Sequence, residues 1–320
     1  NVIKCGSYVG NGNADGPEIN LGWEPSFILY KNSEESYDWR MYDSIRGIVT
    51  GGNDNFLAAN KNDAENTDNN KLSLTPTGFK VVSNDSDVNG SSRTIIYICI
   101  RRPDGYVGKP PELGTDVFAM DTGAGSSTIP NFDSNFPVGF AFYRQPASSQ
   151  SWEVGARLTQ GKYLVLNTNA AEGNYAKMSF DSNVGFQNES NHDSTYQAWM
   201  WKRHAGFDVV TYKARGGDLA SYPHSLGKIP EMIWVKMRNS SQDWNVYHKG
   251  LNGGSSPEGY YMLLNTTDAE ASSTTRWGNT APTAYSFYTG GHTGTNYINY
   301  EYIAMLFASV DGISKVGSYT

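Results

Sequence analysis

The feature that most constrains the fold of this chain is an internal repeat. Its opening stretch, Val2–Val9 (VIKCGSYV), returns at the end of the chain as Ile313–Thr320 (ISKVGSYT). Related stretches begin at Asp116 and Asp208, and similar blocks follow each of them. Self-similarity at a fixed period is typical of repeat architectures, in which each copy is one structural unit. The sequence therefore predicts three tandem units of roughly a hundred residues each.

The same landmarks recur in the same order in the three units. A Pro begins a strand that ends in a base, a Trp follows, an apolar run then ends in Asn, and a Glu lies five residues beyond that Asn. A long apolar strand closes each unit. The recurring residues are Pro25, Pro137 and Pro230, then Trp39, Trp152 and Trp244, then Asn60, Asn167 and Asn265, then Glu65, Glu172 and Glu270.

Composition restricts the class of protein and of partner. Aromatic residues make up 13% of the chain and glycines number 34, which is typical of an aromatic-rich, turn-rich β protein. The net charge of −7 argues against binding to nucleic acid. No apolar stretch approaches the roughly 18 residues of a membrane span, and no secretion signal is visible. We therefore expect neither nucleic acid nor membrane as a partner.

Helix signals are nearly absent, and short strand signals recur between Gly, Asn, Asp and Pro. This pattern predicts an all-β fold of three tandem antiparallel β-sandwich units of the jelly-roll type. The units are residues 1–103, 104–206 and 207–320, with a Pro-rich linker at 103–114 and a copy of the first strand at 313–320. Since the chain begins with Asn and ends on that copied strand, we expect it to be a piece of a longer repetitive polypeptide.

Two of the closing strands are apolar on both faces. They are Thr94–Ile100 in the first unit and Tyr302–Phe307 in the third. A strand with one solvent-exposed face alternates between apolar and polar residues. Both strands are therefore expected to be central in their sheets, with the second face covered by a loop or by a neighbouring unit.

The recurring Trp residues could be platforms for sugar rings or core residues. A side chain at the same place in three units most simply fills a core, where a buried Trp contributes roughly 2–3 kcal/mol. Core packing is the favoured interpretation for Trp39, Trp152 and Trp244.

The recurring Glu residues lie in the turn after the recurring Asn, and their repeated position favours a structural role such as bonding loop amides. Coordination of Ca²⁺ or a ligand is the alternative. In the third unit, Asn265, Asp268 and Glu270 form an oxygen-rich turn that would suit Ca²⁺. We expect no other cofactor.

No catalytic constellation is visible in the sequence. The five His residues are scattered, and no pair has metal-ligand spacing. No phosphate-binding loop or nucleophile elbow occurs. No strand carries two carboxylates at alternate positions, the arrangement that would serve a glycosidase. The chain is therefore expected to be non-catalytic.

The only cysteines are Cys5, on the first strand of the first unit, and Cys99, on its last strand. A disulfide between them is possible, because first and last strands often neighbour each other. The other units have no Cys at the equivalent positions, so two reduced core thiols are the favoured interpretation.

The landmarks resemble those of a known family. The first unit has Gly-Ser-Tyr-x-Gly-Asn-Gly, and the third carries the pattern best, in the stretches Ile229–Lys236, Gln242–Gly250 and Leu264–Ala269. These motifs resemble the concanavalin-A-like (laminin-G-like) jelly-roll lectin repeats in virion and appendage proteins of marine tailed bacteriophages. The second unit departs from the pattern, since Val154-Gly155 replaces the Tyr after the Trp. The resemblance implies a tandem array on a virion or extracellular surface, and it transfers no binding or catalytic residue.

Three functions follow from these observations. The favoured one is a structural or adhesive module of a phage virion appendage or cell-surface filament, which recognises surface glycans or assembles with copies of itself or with other virion proteins. The alternative is a purely architectural virion protein, and the third is a jelly-roll enzyme that cleaves glycans. The candidate ligand contacts are aromatic residues that do not recur among the units, namely Trp23, Tyr106, Trp277 and Tyr288.

Overall fold

A computed structural model describes residues 2–102, 112–127, 129–174, 178–188 and 190–319. The fold is all-β with almost no helix, as the sequence predicts. The only α-helices in these ranges are α1 (Ser86–Asn89) and α2 (Thr293–Asn296), and short 3₁₀ turns lie at Gly114–Asp116, Arg157–Thr159, Leu251–Gly254 and Pro257–Gly259. None of the described helices is long and apolar enough to span a membrane.

The strands follow one another closely along the chain. The first third contains β1 (Ile3–Val9), β2 (Glu18–Asn20), β3 (Pro25–Asn32), β4 (Arg40–Asp43), β5 (Asp54–Ala58), β6 (Asn66–Asn69), β7 (Leu72–Thr75), β8 (Gly78–Val81) and β9 (Thr94–Arg101). The second contains β10 (Phe118–Thr122), β11 (Phe132–Asp133), β12 (Phe140–Arg144), β13 (Glu153–Ala156), β14 (Leu164–Val165), β15 (Met178–Ser179), β16 (Gly185–Asn188) and β17 (Gln197–Trp201). The last contains β18 (Phe207–Lys213), β19 (Ala220–Pro223), β20 (Met232–Met237), β21 (Asn245–His248), β22 (Tyr260–Leu263), β23 (Ala271–Ser272), β24 (Ser286–Thr289) and β25 (Glu301–Phe307).

Three sheets of the described chain are large, and they share one strand pattern. Sheet A has the order β1-β9-β3-β4-β5-β6, sheet B has β10-β17-β12-β13-β14, and sheet C has β18-β25-β20-β21-β22-β23. The smaller sheets are β2-β8-β7, β11-β16-β15 and β19-β24. In each large sheet the closing strand (β9, β17 or β25) pairs on one side with the opening strand (β1, β10 or β18). On its other side it pairs with the first strand of a meander (β3, β12 or β20).

The prediction of three tandem jelly-roll sandwiches is wrong, because the sheets of the chain are arranged as a five-bladed β-propeller. A jelly roll is built from two Greek keys that exchange strands between two sheets. Here β3, β4, β5 and β6 are consecutive neighbours within one sheet, and β20 to β23 repeat this meander. Alternation along a strand shows which residues face a core, but it does not show which sheet the strand joins. The residue boundaries of the three units stay predictions.

The apolar centre is shared by all three thirds of the chain. One continuous buried cluster includes Ile48, Leu158 and Val209, one from each third. Sheets B and C meet in it face to face, with the rings of Phe140 and Phe207 5.7 Å apart between centroids. Two further buried clusters lie on the opposite faces of sheets B and C. The sheets therefore depend on one another for the burial of their apolar side chains.

The recurring Trp and Asn residues make the same backbone contact in each third. The Trp N–H donates to the Asn side-chain oxygen at 3.0 Å in Trp39–Asn60, 3.0 Å in Trp152–Asn167 and 2.8 Å in Trp244–Asn265. Each bond ties the turn after a strand to the start of the strand beside it. The side chains differ, because Trp244 is fully buried, Trp152 is half-buried and Trp39 is 37% exposed. Core packing is therefore confirmed for Trp244 and wrong for Trp39.

The two apolar closing strands, β9 and β25, are both central, as predicted. In β25, five successive residues from Tyr302 to Leu306 are buried, so both faces are covered. In β9 only one face is buried, and Ile96 on the other face is 37% exposed. The expected cover is therefore confirmed for β25 and wrong for β9 within the described residues.

Both cysteines are free thiols. Cys99 is buried, and burial raises the pKa of its thiol to about 12. Cys5 is exposed, so the expectation of two core thiols is wrong for this residue. The first strand of sheet A lies at the sheet edge, where one face is open.

A buried ionic network joins the three thirds at one point. The Arg203 guanidinium donates to both carboxylate oxygens of Glu24, at 2.6 and 2.8 Å, and to Asp208 at 2.9 Å. All three residues are at most 5% exposed. The backbone N–H groups of Val209 and Ser225 also donate to Asp208, at 2.9 and 2.8 Å. Both carboxylates are thus fully paired although water is excluded.

Replacing Arg203 with Ala tests the importance of this network. Removing one partner of a buried ion pair leaves an uncompensated charge, and it typically costs about 3–5 kcal/mol. We expect a loss of that size in the free energy of unfolding, measured by urea denaturation. The exposed Lys249–Glu231 pair provides the control, since Lys249→Ala should cost less than about 1 kcal/mol. Equal losses in the two variants would contradict the role of Arg203.

Candidate functional site

A cleft of about 1060 Å³ opens between sheets B and C; it is called the B–C cleft below. It lies at the end of the face-to-face contact between these sheets. Its walls are mainly apolar, and the large side chains that line it are Phe118, Met120, Trp201, Phe207, Met232 and Phe307. An apolar cleft with a few polar groups is the usual form of a ligand site.

The end of the cleft is closed by a tight hairpin at residues 204–207. His204 and Phe207 exchange two backbone hydrogen bonds, of 2.8 and 3.1 Å. The N–H of Gly206 donates to Nδ1 of His204 at 3.0 Å. A Cβ at Gly206 would lie 2.7 Å from the His204 ring and 3.0 Å from Ser314 Oγ, so a side chain has no room here. The C-terminal segment 313–316 lies close to this hairpin and forms part of the cleft wall.

His204 is 7% exposed. Burial, helped by the positive charge of Lys202, lowers the pKa of His204 to about 4. The ring is therefore neutral at physiological pH, with Nδ1 as a hydrogen-bond acceptor. Its contact with Gly206 indicates a role in shaping the cleft.

The polar groups of the B–C cleft lie on its rim. The backbone N–H of Asp133 donates to Asp121 at 2.8 Å, and that of Asn135 donates to Asp133 at 2.9 Å. Asn135 has a φ of 63°, a left-handed conformation that Asn adopts more readily than most residues. The side chains of Asp121, Asp133 and Asn135 thus offer acceptors on one rim, and Lys315 supplies a cation elsewhere in the lining.

A row of aromatic rings crosses sheet B from this cleft; it is called the aromatic row. The centroid distances are 4.9 Å for Phe118–Trp201, 5.1 Å for Trp201–Phe142, 5.4 Å for Phe142–Trp199 and 5.3 Å for Trp199–Trp152. All five side chains are half-buried. The row therefore combines rigid packing with ring surface that a ligand can reach.

Strand alternation explains why these rings share one face. In β17, Trp199 and Trp201 point to one side, while Ala198 and Met200 on the other side are fully buried. The register places Phe142 of β12 opposite Trp199 and Phe118 of β10 opposite Trp201. Cross-strand aromatic pairs of this kind also stabilise the sheet.

The aromatic residues selected from the sequence do not form a common site. Trp23 is 5% exposed and Trp277 is 2% exposed, so neither offers a ring face to a ligand. The indole N–H of Trp277 donates to the backbone oxygen of Tyr260 at 2.9 Å, which completes its burial. Tyr288 lies half-buried on β24, and Tyr106 lies outside the described residues. Trp23 and Trp277 are therefore core residues in this structure, and their contact with a ligand stays a prediction.

The turn expected to suit Ca²⁺ is held by hydrogen bonds. Asn265 accepts from Trp244 and donates to Asp243 at 2.9 Å, and Glu270 accepts from the N–H of Asn252 at 2.9 Å. The described residues contain no group of three or more His, Cys, Asp or Glu side chains that could hold a metal. Ca²⁺ binding by Asn265, Asp268 and Glu270 stays a prediction.

The other recurring Glu residues also have protein partners. Glu65 pairs with Arg46 at 3.4 Å, and Glu172 pairs with the fully buried Arg238 at 2.8 Å. Glu172 lies in the second third of the chain and Arg238 in the last, so this pair connects the two. These contacts are of the structural kind expected for the recurring position.

The aromatic row was not predicted from the sequence. The signal was present in Gln197-Ala-Trp-Met-Trp201 and Phe140-Ala-Phe142, where large rings alternate with small or aliphatic residues. Asp121 and Asp133 were not predicted, because they are 12 residues apart in sequence and come together only through the folding of the chain, which places the backbone N–H of Asp133 against the Asp121 carboxylate.

The depressed pKa of His204 predicts a specific loss of stability in acid. The folded state keeps this ring neutral down to about pH 4, whereas the unfolded chain protonates it below about pH 6.5. Stability is therefore lost as pH falls from about 6.5 to about 4. In His204→Asn, whose amide oxygen can still accept from Gly206, we expect a smaller loss between pH 6.5 and 4.5 in urea unfolding. Identical pH dependence in the two proteins would contradict the assignment.

Comparison with known proteins gives a family but no activity. A search of the curated proteins finds no match to the chain. One family model, described as a domain of unknown function, matches residues 3–102 and 157–320. The matched ranges contain sheets A and C, the hairpin at residues 204–207, and Trp199 and Trp201 of β17. Because the match covers most of its length, the chain belongs to the DUF7483 family.

Proposed function

We propose that the protein is a non-catalytic adhesive module that binds a surface glycan along the aromatic row and in the B–C cleft. The observation that carries this proposal is the row of five half-buried rings. Ring faces suit the C–H surfaces of pyranose sugars. The carboxylates and amide on the rim suit sugar hydroxyls as hydrogen-bond acceptors.

The polymeric nature of the ligand follows from the shape of the site. The row crosses four strands, β10, β17, β12 and the start of β13, so its contacts are spread along a line. A single small sugar would use only one or two of the rings. Several weak stacking contacts in a line favour an extended chain.

The proposed location of such a module, on a virion or on a cell surface, rests on the resemblance of its repeat motifs to phage lectin repeats. The repeat motifs support a virion appendage or a cell-surface filament, exposed to surface glycans. A purely architectural role is the second candidate, and the apolar face of sheet A favours it, as described in the next subsection. Cleavage of glycans is the third candidate, and the assay below includes product release to test it.

Trp199→Ala tests glycan recognition. Aromatic contacts contribute about 0.5–1.5 kcal/mol each, so the variant should bind about two- to tenfold more weakly. A glycan array with bacterial and algal polysaccharides first identifies a ligand, and calorimetry with an oligosaccharide then gives the affinity. Met120→Glu, at a position 62% exposed on the cleft wall, provides a second variant that should weaken binding without removing a ring of the row.

The matched control is Trp39→Ala. Trp39 takes the place of Trp152 in sheet A and lies outside the aromatic row. The affinity of the Trp39→Ala variant for the glycan should equal that of the unmodified protein. Absence of binding to every glycan, or equal loss in Trp39→Ala and Trp199→Ala, would refute the proposal. Release of reducing sugars during the assay would instead favour the enzyme.

A further inference from the structure

Sheet A exposes an apolar face; it is called the A face below. Its residues are the apolar outward members of five strands, namely Ile3, Cys5, Phe27, Leu29, Met41, Leu57, Ile96, Ile98 and Ile100. None of them belongs to the buried clusters of the described chain. Contiguous apolar surface of this kind marks an interaction site in soluble proteins.

The register shows that the A face is continuous. Cys5 lies opposite Ile98, Ile98 opposite Leu29, Leu29 opposite Met41, and Met41 opposite Leu57. One apolar row therefore crosses β1, β9, β3, β4 and β5 without a polar side chain. A parallel row of Ile3, Ile100 and Phe27 lies beside it.

The A face is also open. Ile3 is 56% exposed, Ile96 is 37% exposed and Cys5 is exposed, while the other six residues of the face are half-buried. The alternate residues of the same strands, including Ile28, Tyr30 and Ile95, are at most 1% exposed because they form the core on the other face. Sheet A is thus apolar on both faces and covered on one.

Sheets B and C show how the same positions are covered inside this molecule. Phe140 takes the position of Phe27 in sheet B, and Met305 takes the position of Ile98 in sheet C. Both are fully buried. They face each other across a small void of about 10 Å³ that Val154 and Ile303 also line. Two large sheets therefore bury these faces against one another, and sheet A has no such partner among the described residues.

We propose that the A face is the interface with a second copy of this chain, packed with A face against A face. A two-fold contact of this kind is self-complementary and closes on itself. The five strands of the face, about 4.8 Å apart and with four to eight residues of about 3.3 Å each, cover roughly 500 Å². Two such faces would bury about 1,000 Å² in total, which is the lower limit for a specific interface.

The charges at its border favour a second copy over a strongly charged partner. Lys31 lies opposite Ile96 at one end of the face, and Asp43 lies opposite Phe27 at the other end. Lys31 donates to nearby backbone oxygens and Asp43 pairs with Arg46 at 2.6 Å, so neither charge is left for a strongly charged partner. The A face is separate from the B–C cleft, so this proposal does not rest on glycan binding.

Analytical ultracentrifugation of the full chain across a concentration series tests the proposal. We expect a dimer that Ile98→Glu dissociates, with affinity weakened at least about a hundredfold because a charge would be buried in the centre of the contact. The control is Ile298→Glu, the same substitution at a position 55% exposed outside sheet A. It should remain dimeric. Circular dichroism checks that both variants are folded.

Cys5 offers a second measurement on the unmodified protein. It is the exposed cysteine of the A face, while Cys99 is buried. Maleimide labelling of Cys5 should be slow at dimer concentrations and should become faster on dilution. A protein that is monomeric throughout the series, or a Cys5 labelling rate that does not change with concentration, would overturn the proposal. So would a dimer that survives Ile98→Glu or dissociates equally in Ile298→Glu.

Discussion

The face-to-face contact between sheets B and C is the interaction on which the rest of the structure depends. Phe140 and Phe207 meet there, and Trp244 extends the contact by donating from its indole N–H to Val165 at 2.9 Å. Because both sheets lose solvent-exposed apolar surface in this contact, the hydrophobic effect holds distant parts of the chain together. The B–C cleft and the aromatic row lie where the contact ends and the sheets diverge.

Polar contacts determine how the three thirds of the chain are oriented around this apolar centre. Apolar packing alone is non-directional, whereas the bidentate contact of Arg203 with Glu24 has a defined geometry. Arg238 has a similar role, since it pairs with Glu172 and also donates to the backbone oxygen of Thr50 at 3.1 Å. Both arginines therefore connect residues that are far apart in sequence.

Much of the local structure could be predicted from the sequence. The spacing of Trp and Asn indicated equivalent places, and in all three thirds the Trp N–H bonds to the Asn side chain. The near absence of helix was also predictable from composition and strand periodicity. The exposure of Trp39 and the burial of Trp277 were not, because burial of a side chain depends on which sheet packs over it. For the same reason, the site residues selected as isolated aromatics were less informative than the alternating rings of β17 and β12.

By itself the sequence determined that the chain is all-β, that its landmarks recur three times, and that two closing strands have no polar face. These properties follow from side-chain alternation and from residue spacing, which are local. Only the tertiary structure decided that the sheets form a five-bladed propeller around a shared centre, that sheets B and C cover each other, and that sheet A keeps one face open. Those outcomes depend on contacts between residues that are far apart in sequence, and strand periodicity is the same whichever sheet a strand faces.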